Sequence, residues 1–518
     1  MSRNQPVLAK NKWGIAFLTI ITARRTNVQV ALARAMCSSR TGLFLSPWDI
    51  CPRLVLPMLR ILVIKEIRAH MLSFRFALAF VLLLVLVVSS VEIIALGYER
   101  QVESHAEASR AQKEKMAEST DFRQLRWSGI EVDRPPNPLS VFAMGLEKEM
   151  SRSISISQMQ SARLGRSKYT NPLYVLFPAP DLLYIVNIVG SLLAILFAFD
   201  AICGEQEEGT LRLLLAQALP RHKLLLAKWI GGYAALIIPF IGSLICALCI
   251  AQATTLLSLT AAQWAVLGGM LAIAALYMSV FFGLGLLIST LVRRTSTSLV
   301  LNFLVWVLLV LMIPNTAPIV ARALVAVPSP GVIAGKQEAI QREVMNAQRR
   351  NWRRSATRED RQQQFDEAQA KMREETDKML ADYLQKVERQ IELGMALARI
   401  SPSTSYVYAT TGLAGTGLQG FASLREYIDR YREEFMAKME SVADMRRRQA
   451  EAAVDSEERQ EIMEAPLDPD EIPVFDPPLP ELTTALAEVR TDLLVLLALN
   501  VVFFLAAHVA FLRYDLMR

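Results

Sequence analysis

Six apolar runs constrain the fold of this 518-residue chain more than any other feature of its sequence. They cover residues 76–96, 182–201, 229–251, 264–292, 298–320 and 493–512. A helix needs about 20 apolar residues to cross the hydrocarbon core of a bilayer. Because lipid cannot satisfy backbone hydrogen bonds, each run is predicted to be a transmembrane α-helix. The predicted fold class is therefore an all-α polytopic membrane protein with six transmembrane helices.

The basic residues of the short connections predict the orientation of these helices. They collect at one end of the runs, at Arg60, Lys65, Arg68, Arg75, Arg212, Arg221, Lys223, Lys228, Arg293, Arg294, Arg513 and Arg518. The short connection at the opposite end, residues 252–263, holds neither Lys nor Arg. Both termini are therefore predicted to be cytoplasmic. The long loops 97–181 and 321–492 are predicted to lie outside, since long loops cross a membrane largely regardless of charge.

Residues 1–57 differ from the rest of the chain, because they hold several basic residues, from Lys10 to Arg40, but no acid before Asp49. Such a segment suits a targeting leader, or non-coding sequence read from a start codon placed too early. We favour the second interpretation, because Met58 opens a stretch of helical amphipathic spacing. Residues 58–75 are predicted to form an interfacial cytoplasmic helix that leads into the first transmembrane helix, at 76–96.

The two outer loops are predicted to be mainly helical. Residues 421–445 carry apolar side chains at heptad spacing, and residues 337–399 are rich in charge and free of Pro. With the turn-rich patch 401–417 between them, they predict an antiparallel, coiled-coil-like hairpin in region 321–492. An extended solvated linker is the alternative, which the heptad seam disfavours. The first loop is predicted to be helical near 102–124 and to break at Pro135, Pro136 and Pro138.

Residues 202–228 form a short charged segment between the second and third apolar runs. A single helix is predicted to begin near Gly204 and to stop before Pro220, with acids in its first turns as the helix dipole favours. Its apolar stripe is Leu211, Leu214, Leu215 and Ala218. Such a stripe can lie on the bilayer or bind another protein. A solvated loop is the alternative interpretation.

Signatures of catalysis are missing from the sequence. It contains no GxxxxGK[ST] phosphate loop, no HExxH and no GxSxG, and its four histidines are scattered. The outer loops contain no cysteine, and a metal or redox site at Cys246 and Cys249 lacks partners. The chain is therefore predicted not to be an enzyme, with no catalytic, cofactor-binding or metal site of its own.

The charged segment carries the most specific resemblance in the chain. The pattern D-x-x-x-x-E-x-E-E-G-T-L-R-L-L-L, followed by P-R-x-K-x-L-L-A-K, begins at Asp200 and ends at Lys228. It resembles the cytoplasmic segment of type 2 ABC transporter permeases, in the branch associated with multicopper-enzyme maturation and gliding motility. KEIR at 65–68, SPSTSYVYATTGLAGTG with FASLREYIDRYREEF, and the closing FLRYDLMR resemble one uncharacterised subfamily with large outer loops.

This resemblance implies a subunit without its own nucleotide site, located in the bacterial inner membrane. A separate cytoplasmic ATPase would hold ATP and Mg²⁺, and a second permease chain, identical or related, would complete the transporter. The implied ATPase-docking residues are Glu205, Glu207, Glu208, Gly209, Thr210, Leu211, Arg212, Leu214, Leu215, Pro220 and Arg221. The large outer regions suggest a periplasmic partner as well. Membrane lipid is an expected contact and nucleic acid is not.

Two other classes of function remain open at this point. An ion-driven secondary transporter would need buried acids in its spans and paired broken helices. A membrane-anchored scaffold would bind an envelope partner through its outer hairpin and transport nothing. An ATPase gene beside this one would favour the ABC transporter over both.

Overall fold

The computed structural model describes residues 51–118, 130–148, 152–156, 163–164, 180–216, 220–254, 257–352, 358–452, 473–478 and 481–513, and residues 455, 457, 459 and 462. Residues 1–61 and 62–518 form two units. Of the first unit, only the start of helix α1 (Cys51–Met71) is described. The rest of the extension predicted at 1–57 therefore lies outside the described residues.

Six helices of the described chain are long and apolar enough to cross a membrane. We call them span 1 (Phe74–Gln112), span 2 (Leu182–Glu207), span 3 (Arg221–Ala253), span 4 (Ala261–Leu291), span 5 (Thr295–Leu324) and span 6 (Arg490–Leu512). They correspond one to one to the six apolar runs of the sequence. The predicted class of an all-α polytopic membrane protein is confirmed.

The helices of these spans are α2 (Phe74–Glu118), α3 (Leu182–Ile185), α4 (Ser191–Ala198), α5 (Cys203–Glu207), α7 (Arg221–Ala253), α8 (Ala261–Leu291), α9 (Thr295–Trp306), α10 (Ile313–Leu324) and α16 (Arg490–Leu512), while α6 (Thr210–Leu215) lies between spans 2 and 3. Two of the spans contain a π-helical turn. It lies at Val186–Gly190 in span 2 and at Val307–Met312 in span 5. A π-helical turn leaves a carbonyl without its usual helical partner and is often found at functional positions. Neither turn has a Pro or Gly pattern that would predict it.

Span 4 is the most buried of the six and forms the centre of the membrane core. It packs against α4 of span 2 and against span 6, while span 3 packs along span 1. Tyr277, Phe281 and Phe282 on span 4 are fully buried. These aromatic side chains fill the space between neighbouring helices, which is what a dense interior requires.

Helix α1 ends at Met71, earlier than the helix predicted over 58–75, and span 1 begins at Phe74. The break is stabilised by Ser73, whose hydroxyl donates to the carbonyl of His70 over 2.6 Å. The same Oγ accepts from the backbone N–H of Phe76 at 3.3 Å, as at a helix N-terminus. The chain therefore changes direction between α1 and the first span.

The region between spans 1 and 2 contains a small antiparallel sheet that was not predicted from the sequence. Its strands are β1 (Ile130–Asp133), β2 (Ser153–Ile156) and β3 (Arg163–Leu164), in the order β1-β2-β3. Ile130 pairs with Ile156 and Val132 with Ile154. These four side chains share one buried face of the sheet, as the period of two in a strand requires.

The predicted heptad seam is present, but it packs on this sheet. Helix α14 (Leu418–Ala452) buries its seam of Leu424, Ile428, Tyr431, Phe435, Met439 and Val442 in one cluster with the sheet's buried face. Helices α11 (Pro330–Trp352) and α12 (Arg358–Ala398) instead pack on each other, and α12 also packs on α10. Within the described residues the predicted hairpin of 337–399 with 421–445 is therefore wrong. A heptad seam fixes which face is buried and not what covers it.

The patch predicted as the turn of that hairpin is a buried helix, α13 (Pro402–Ala414), so this prediction is wrong as well. It packs against spans 4 and 6 and against α15 (Leu482–Glu488). Ser401 caps its start, where the N–H of Ser403 donates to the Ser401 hydroxyl at 3.1 Å, and Gly415 at φ 70° ends it. In a soluble protein a stretch of Gly, Ser, Thr and Ala suggests a turn. Inside a membrane the same small residues let helices approach closely.

In the first loop, the helix predicted near 102–124 is the continuation of α2, which ends at Glu118. Residues 119–124 lie outside the described residues. The break predicted at the prolines is confirmed, since residues 134–137 are irregular and a 3₁₀ turn begins at Pro138.

Candidate functional site

The charged segment between spans 2 and 3 folds as two short helices, α5 and α6, and not as the single helix predicted from Gly204 to Pro220. Gly209 separates them in the left-handed conformation, at φ 74° and ψ 0°. Its N–H donates to the carbonyl of Gln206 at 3.0 Å, which ends α5. A positive φ of this size favours glycine, because a Cβ there crowds the backbone. The helix therefore breaks at the Gly of the Glu-Gly-Thr-Leu element.

Glu205 is directed inward and not toward a partner surface. Its Oε1 accepts from the ammonium of Lys228 at 2.7 Å, and Lys228 is only 5% exposed. The hydroxyl of Thr210 donates to the backbone carbonyl of Glu205 at 3.1 Å, which joins α6 back to α5. These two predicted docking residues therefore hold the segment together and attach it to the start of span 3.

Glu207 is exposed and caps the first turn of span 5. Its Oε2 accepts from the backbone N–H of Thr295 at 3.2 Å and from the Thr295 hydroxyl at 2.7 Å. A carboxylate at this end of a helix satisfies free N–H groups and complements the helix dipole. This residue, predicted as a contact for a partner, thus joins the charged segment to span 5.

Arg221 joins the segment to the last span. Its Nη1 donates to the backbone carbonyls of Phe511 at 3.2 Å and Leu512 at 2.8 Å. A guanidinium at the C-terminal end of a helix satisfies carbonyls that have no helical partner. Pro220, half-buried, directly precedes α7 and fixes where span 3 begins. The charged segment is therefore attached to spans 3, 5 and 6.

The leucines of α6 divide between the protein interior and the surface. Leu211 is 1% exposed and lies in a cluster with Phe511 and other apolar side chains. Leu214 is half-buried, and the side chain of Leu215 lies outside what is described. Leu213 is 69% exposed. The sequence analysis missed this residue because a single straight helix does not place it on the apolar stripe.

Two further predicted residues, Glu208 and Arg212, are exposed, and Arg212 directly precedes Leu213 in the sequence. An exposed apolar side chain with charged residues on the same short segment is suited to contact with another protein. The described residues of the segment show no nucleophile hydrogen-bonded to a basic side chain. No group of metal-ligating side chains was found among the described residues of the chain. Its chemistry is that of a binding surface.

A second ionic contact lies nearby, between Asp200 after α4 and Arg75 at the start of span 1. Arg75 Nη1 donates to Asp200 Oδ2 at 2.5 Å, and its guanidinium lies 5.0 Å from the ring centroid of Phe199. Both partners are partly exposed. This contact ties span 2 to span 1 beside the charged segment.

A separate polar cluster surrounds the buried helix α13. The amide oxygen of Asn187, in the π-helical turn of span 2, accepts from Tyr277 Oη and Ser403 Oγ, each at 2.8 Å. The ring of Tyr277 stacks on that of Tyr406, with centroids 4.4 Å apart. Ser401 donates to the carbonyl of Leu309, in the π-helical turn of span 5. Helix α13 therefore contacts both irregular turns.

The fold and the charged segment define a class of protein: an integral membrane protein of the permease type. A family model described as ABC-2 family transporter protein matches residues 60–516. The chain belongs to this family. It is also similar to a probable ABC transporter permease protein, NosY, from Stutzerimonas stutzeri, with 37% identity over 121 residues. That match spans 23% of this chain and 44% of the relative, so it covers less than half of the length of that protein.

Proposed function

We propose that this chain is the permease subunit of an ABC transporter of the cytoplasmic membrane, and that its charged segment faces the cytoplasm. A separate ATPase would bind there and hold ATP and Mg²⁺, so this chain needs no nucleotide site. Two permease chains, identical or related, would form the path, and ATP-driven closure of two ATPases would move them against each other. Membership of the ABC-2 family and the similarity to a probable ABC transporter permease support this proposal.

One observation carries the docking assignment: the exposed Leu213 on a segment attached to three spans. An exposed leucine contributes about 2 kcal/mol when a partner removes it from water. Three charged side chains would also be available to the same partner. They are Glu207, whose Oε2 accepts a hydrogen bond from Thr295, and the exposed Glu208 and Arg212. Because the segment is joined to spans 3, 5 and 6 by Glu205, Glu207 and Arg221, force applied to it would reach these spans. A flexible loop would not transmit that force.

The first test is Leu213→Asp in the full chain expressed with its ATPase. We expect loss of the co-purifying ATPase while the permease still inserts in the membrane and elutes as before. The matched control is Leu384→Asp, because Leu384 lies on α12, in the proposed outer region, and is 37% exposed. That variant should retain the ATPase. Retention of the ATPase by Leu213→Asp, with unchanged affinity, would refute the docking assignment.

The second test concerns the proposed orientation. A cysteine placed at Ala216, which is exposed, should react with an impermeant thiol reagent only in inside-out vesicles, once the native cysteines are replaced. A cysteine at Arg430, exposed on α14, should react only from the outside. The proposed placement of the outer region in the periplasm, where it would meet a partner or substrate, depends on this pattern. Labelling of Ala216→Cys from the outside alone would refute it.

If ATPase association fails in every condition, the scaffold and the ion-driven transporter remain the competing functions. They differ in that only a transporter would change its conformation in response to an ion gradient. Distance measurements between labelled outer and inner sites, with and without a gradient, would separate them.

A further inference from the structure

Lys228 brings together three parts of the chain that are far apart in sequence. It lies in the second turn of span 3, and its ammonium is 2.7 Å from Glu205 Oε1 in α5 and 3.7 Å from Glu66 Oε1 in α1. Lys65 lies 3.4 Å from the same Glu66 oxygen. The Lys65 side chain is 53% exposed, so the buried part of this cluster holds one base, Lys228, between two acids.

The cluster is buried, which distinguishes it from the other polar attachments of the charged segment. The side chains of Lys228, Glu66 and Glu205 are 5%, 10% and 17% exposed. Glu207 and its partner Thr295 meet at the surface, where water and salt screen the contact. Charges in a site with little water interact more strongly, and loss of one partner leaves the other buried and unpaired.

Steric fit brings two of these elements, α1 and span 3, close together. A Cβ added to Gly231, one turn after Lys228, would lie 2.6 Å from the Cβ of Glu66 and 3.3 Å from the carbonyl of Val63. Helix α1 thus rests directly on the backbone of span 3. Next to it, the ring of His70 lies over Phe197 of span 2, with ring centroids 5.9 Å apart. Burial lowers the pKa of His70, against the attraction of Glu66, so this contact is made by a neutral ring near pH 7.

We propose that Lys228 is a positioning residue that joins α1, the charged segment and span 3 into one rigid body when the ATPase acts on the segment. This inference rests on the proposed function, because it describes how docking at α5 and α6 reaches the spans. Motion of α5 would carry Lys228 through the ion pair with Glu205. It would carry α1 through Glu66 and through the close fit at Gly231.

Spin labels at two exposed positions can test this rigid body: Ala216→Cys directly after α6 and Ala69→Cys in α1, in a chain without its native cysteines. Distances between them are measured by double electron–electron resonance, in liposomes that contain the complex with its ATPase. Samples without nucleotide are compared with samples trapped by ATP and vanadate. We expect one narrow distance distribution that is the same in both states.

Lys228→Met, which keeps the length of the side chain, should broaden this distribution at least two-fold and make it differ between the two states. Lys228→Arg should restore the narrow distribution. Lys223→Met, earlier on the same helix, is the matched control and should behave like the unmodified chain. If Lys228→Met does not fold, the neutral pair Lys228→Met with Glu205→Gln replaces it, because no charge of that pair is then left unpaired.

Co-purification of the ATPase is measured on every sample, so that the two proposals can fail separately. Absence of ATPase from the unmodified chain would refute the proposed function. A retained ATPase with the same narrow distribution in unmodified chain and Lys228→Met would refute the role of Lys228 alone. The role of Lys228 would also be refuted if Lys228→Met broadened the distribution and Lys228→Arg did not restore it. In that case a positive charge at position 228 would not be enough to position the segment.

Discussion

The charged segment and the helix α13 are both polar, yet only α13 is buried. Glu208 and Arg212 on the charged segment are exposed, whereas Ser401 and Ser405 beside or on α13 are 0% exposed. The two segments differ in charge, because the exposed side chains of the first are ionisable and the buried side chains of the second are neutral hydroxyls.

Hydroxyl groups can enter an apolar interior where a nearby carbonyl accepts their hydrogen bond. Ser401 uses the carbonyl of Leu309 and Tyr277 lies 2.9 Å from that of Asn187, both in π-helical turns. A buried ionised group needs a counter-ion as well. Lys228 shows this requirement, since it is buried only between two carboxylates. Substitutions near α13 should therefore change stability, and those in the charged segment should change association.

The largest effect is expected for Tyr406→Ala. Tyr406 is 1% exposed and stacks on Tyr277, so its removal leaves a cavity beside a second buried ring. We expect a loss of about 3 to 5 kcal/mol in the free energy of unfolding. Thermal unfolding of the purified protein in detergent measures it, with Tyr184→Ala as control because Tyr184 is 55% exposed. Equal losses in the two variants would mean that α13 is not part of the core.

A smaller effect is expected for Asn187→Leu. The substitution removes the oxygen that accepts from both Tyr277 and Ser403 and leaves two buried hydroxyls to find other partners. We expect a loss of about 1 to 3 kcal/mol in the free energy of unfolding. The control is Asn315→Leu in span 5, where the amide is exposed and bonds only to its own helix. Should both variants unfold alike, the hydroxyl network would not stabilise α13.

At the charged segment, Gly209→Ala should weaken association and leave the core stable. The φ of 74° at this position is strained for alanine, although space for a methyl group is open. A strain of about 1 kcal/mol should raise the Kd for the ATPase roughly five-fold. Titration of the ATPase onto the reconstituted permease measures this change. Gly209→Asn should bind better than Gly209→Ala, because asparagine adopts this conformation more readily; the reverse order would contradict the strain argument.

The smallest effect on stability is expected for Glu207→Gln. Its carboxylate caps span 5 at the surface, where the neutral amide still accepts a hydrogen bond from Thr295. The unfolding temperature should fall less than in Tyr406→Ala and Asn187→Leu, and the difference should vanish at high salt. Thr295→Ser keeps the hydroxyl and serves as control. A decrease as large as that of Tyr406→Ala would end the contrast between the two regions.

The sequence predicts the spans well, because the hydrocarbon core of the bilayer favours apolar side chains along a whole span. Hydropathy measures this apolar character. Each apolar run, such as 229–251, became part of a helix long enough to cross a membrane. The partner of α14 was not predictable in this way. Its seam shows an apolar face with heptad spacing, but strands β1 and β2 are too short and too polar on their other face to stand out.

The charged segment was predictable in position and less so in detail. Its charges and the Glu-Gly-Thr-Leu element mark it, but the break at Gly209 buries Leu211 in the protein and leaves Leu213 exposed. Long-range contacts such as Arg221 to the end of span 6 join residues far apart in the chain, and no local pattern signals them. Helix α13 was misread because its small residues favour turns in water and close packing in lipid.

Helix α2 runs without interruption for 45 residues, from the break at Ser73 to Glu118, which is about 68 Å. Only about 30 Å of that length is needed to cross the hydrocarbon core. The whole helix can act as a lever arm, since Arg75 binds span 2 at its start and His105 Nδ1, further along, lies 2.8 Å from Asp133 Oδ2 of the sheet. A tilt of roughly 5° about its start would move the far tip by about 6 Å. Small rotations at the start of the helix would thereby become larger displacements near the sheet, beyond the apolar core of the bilayer.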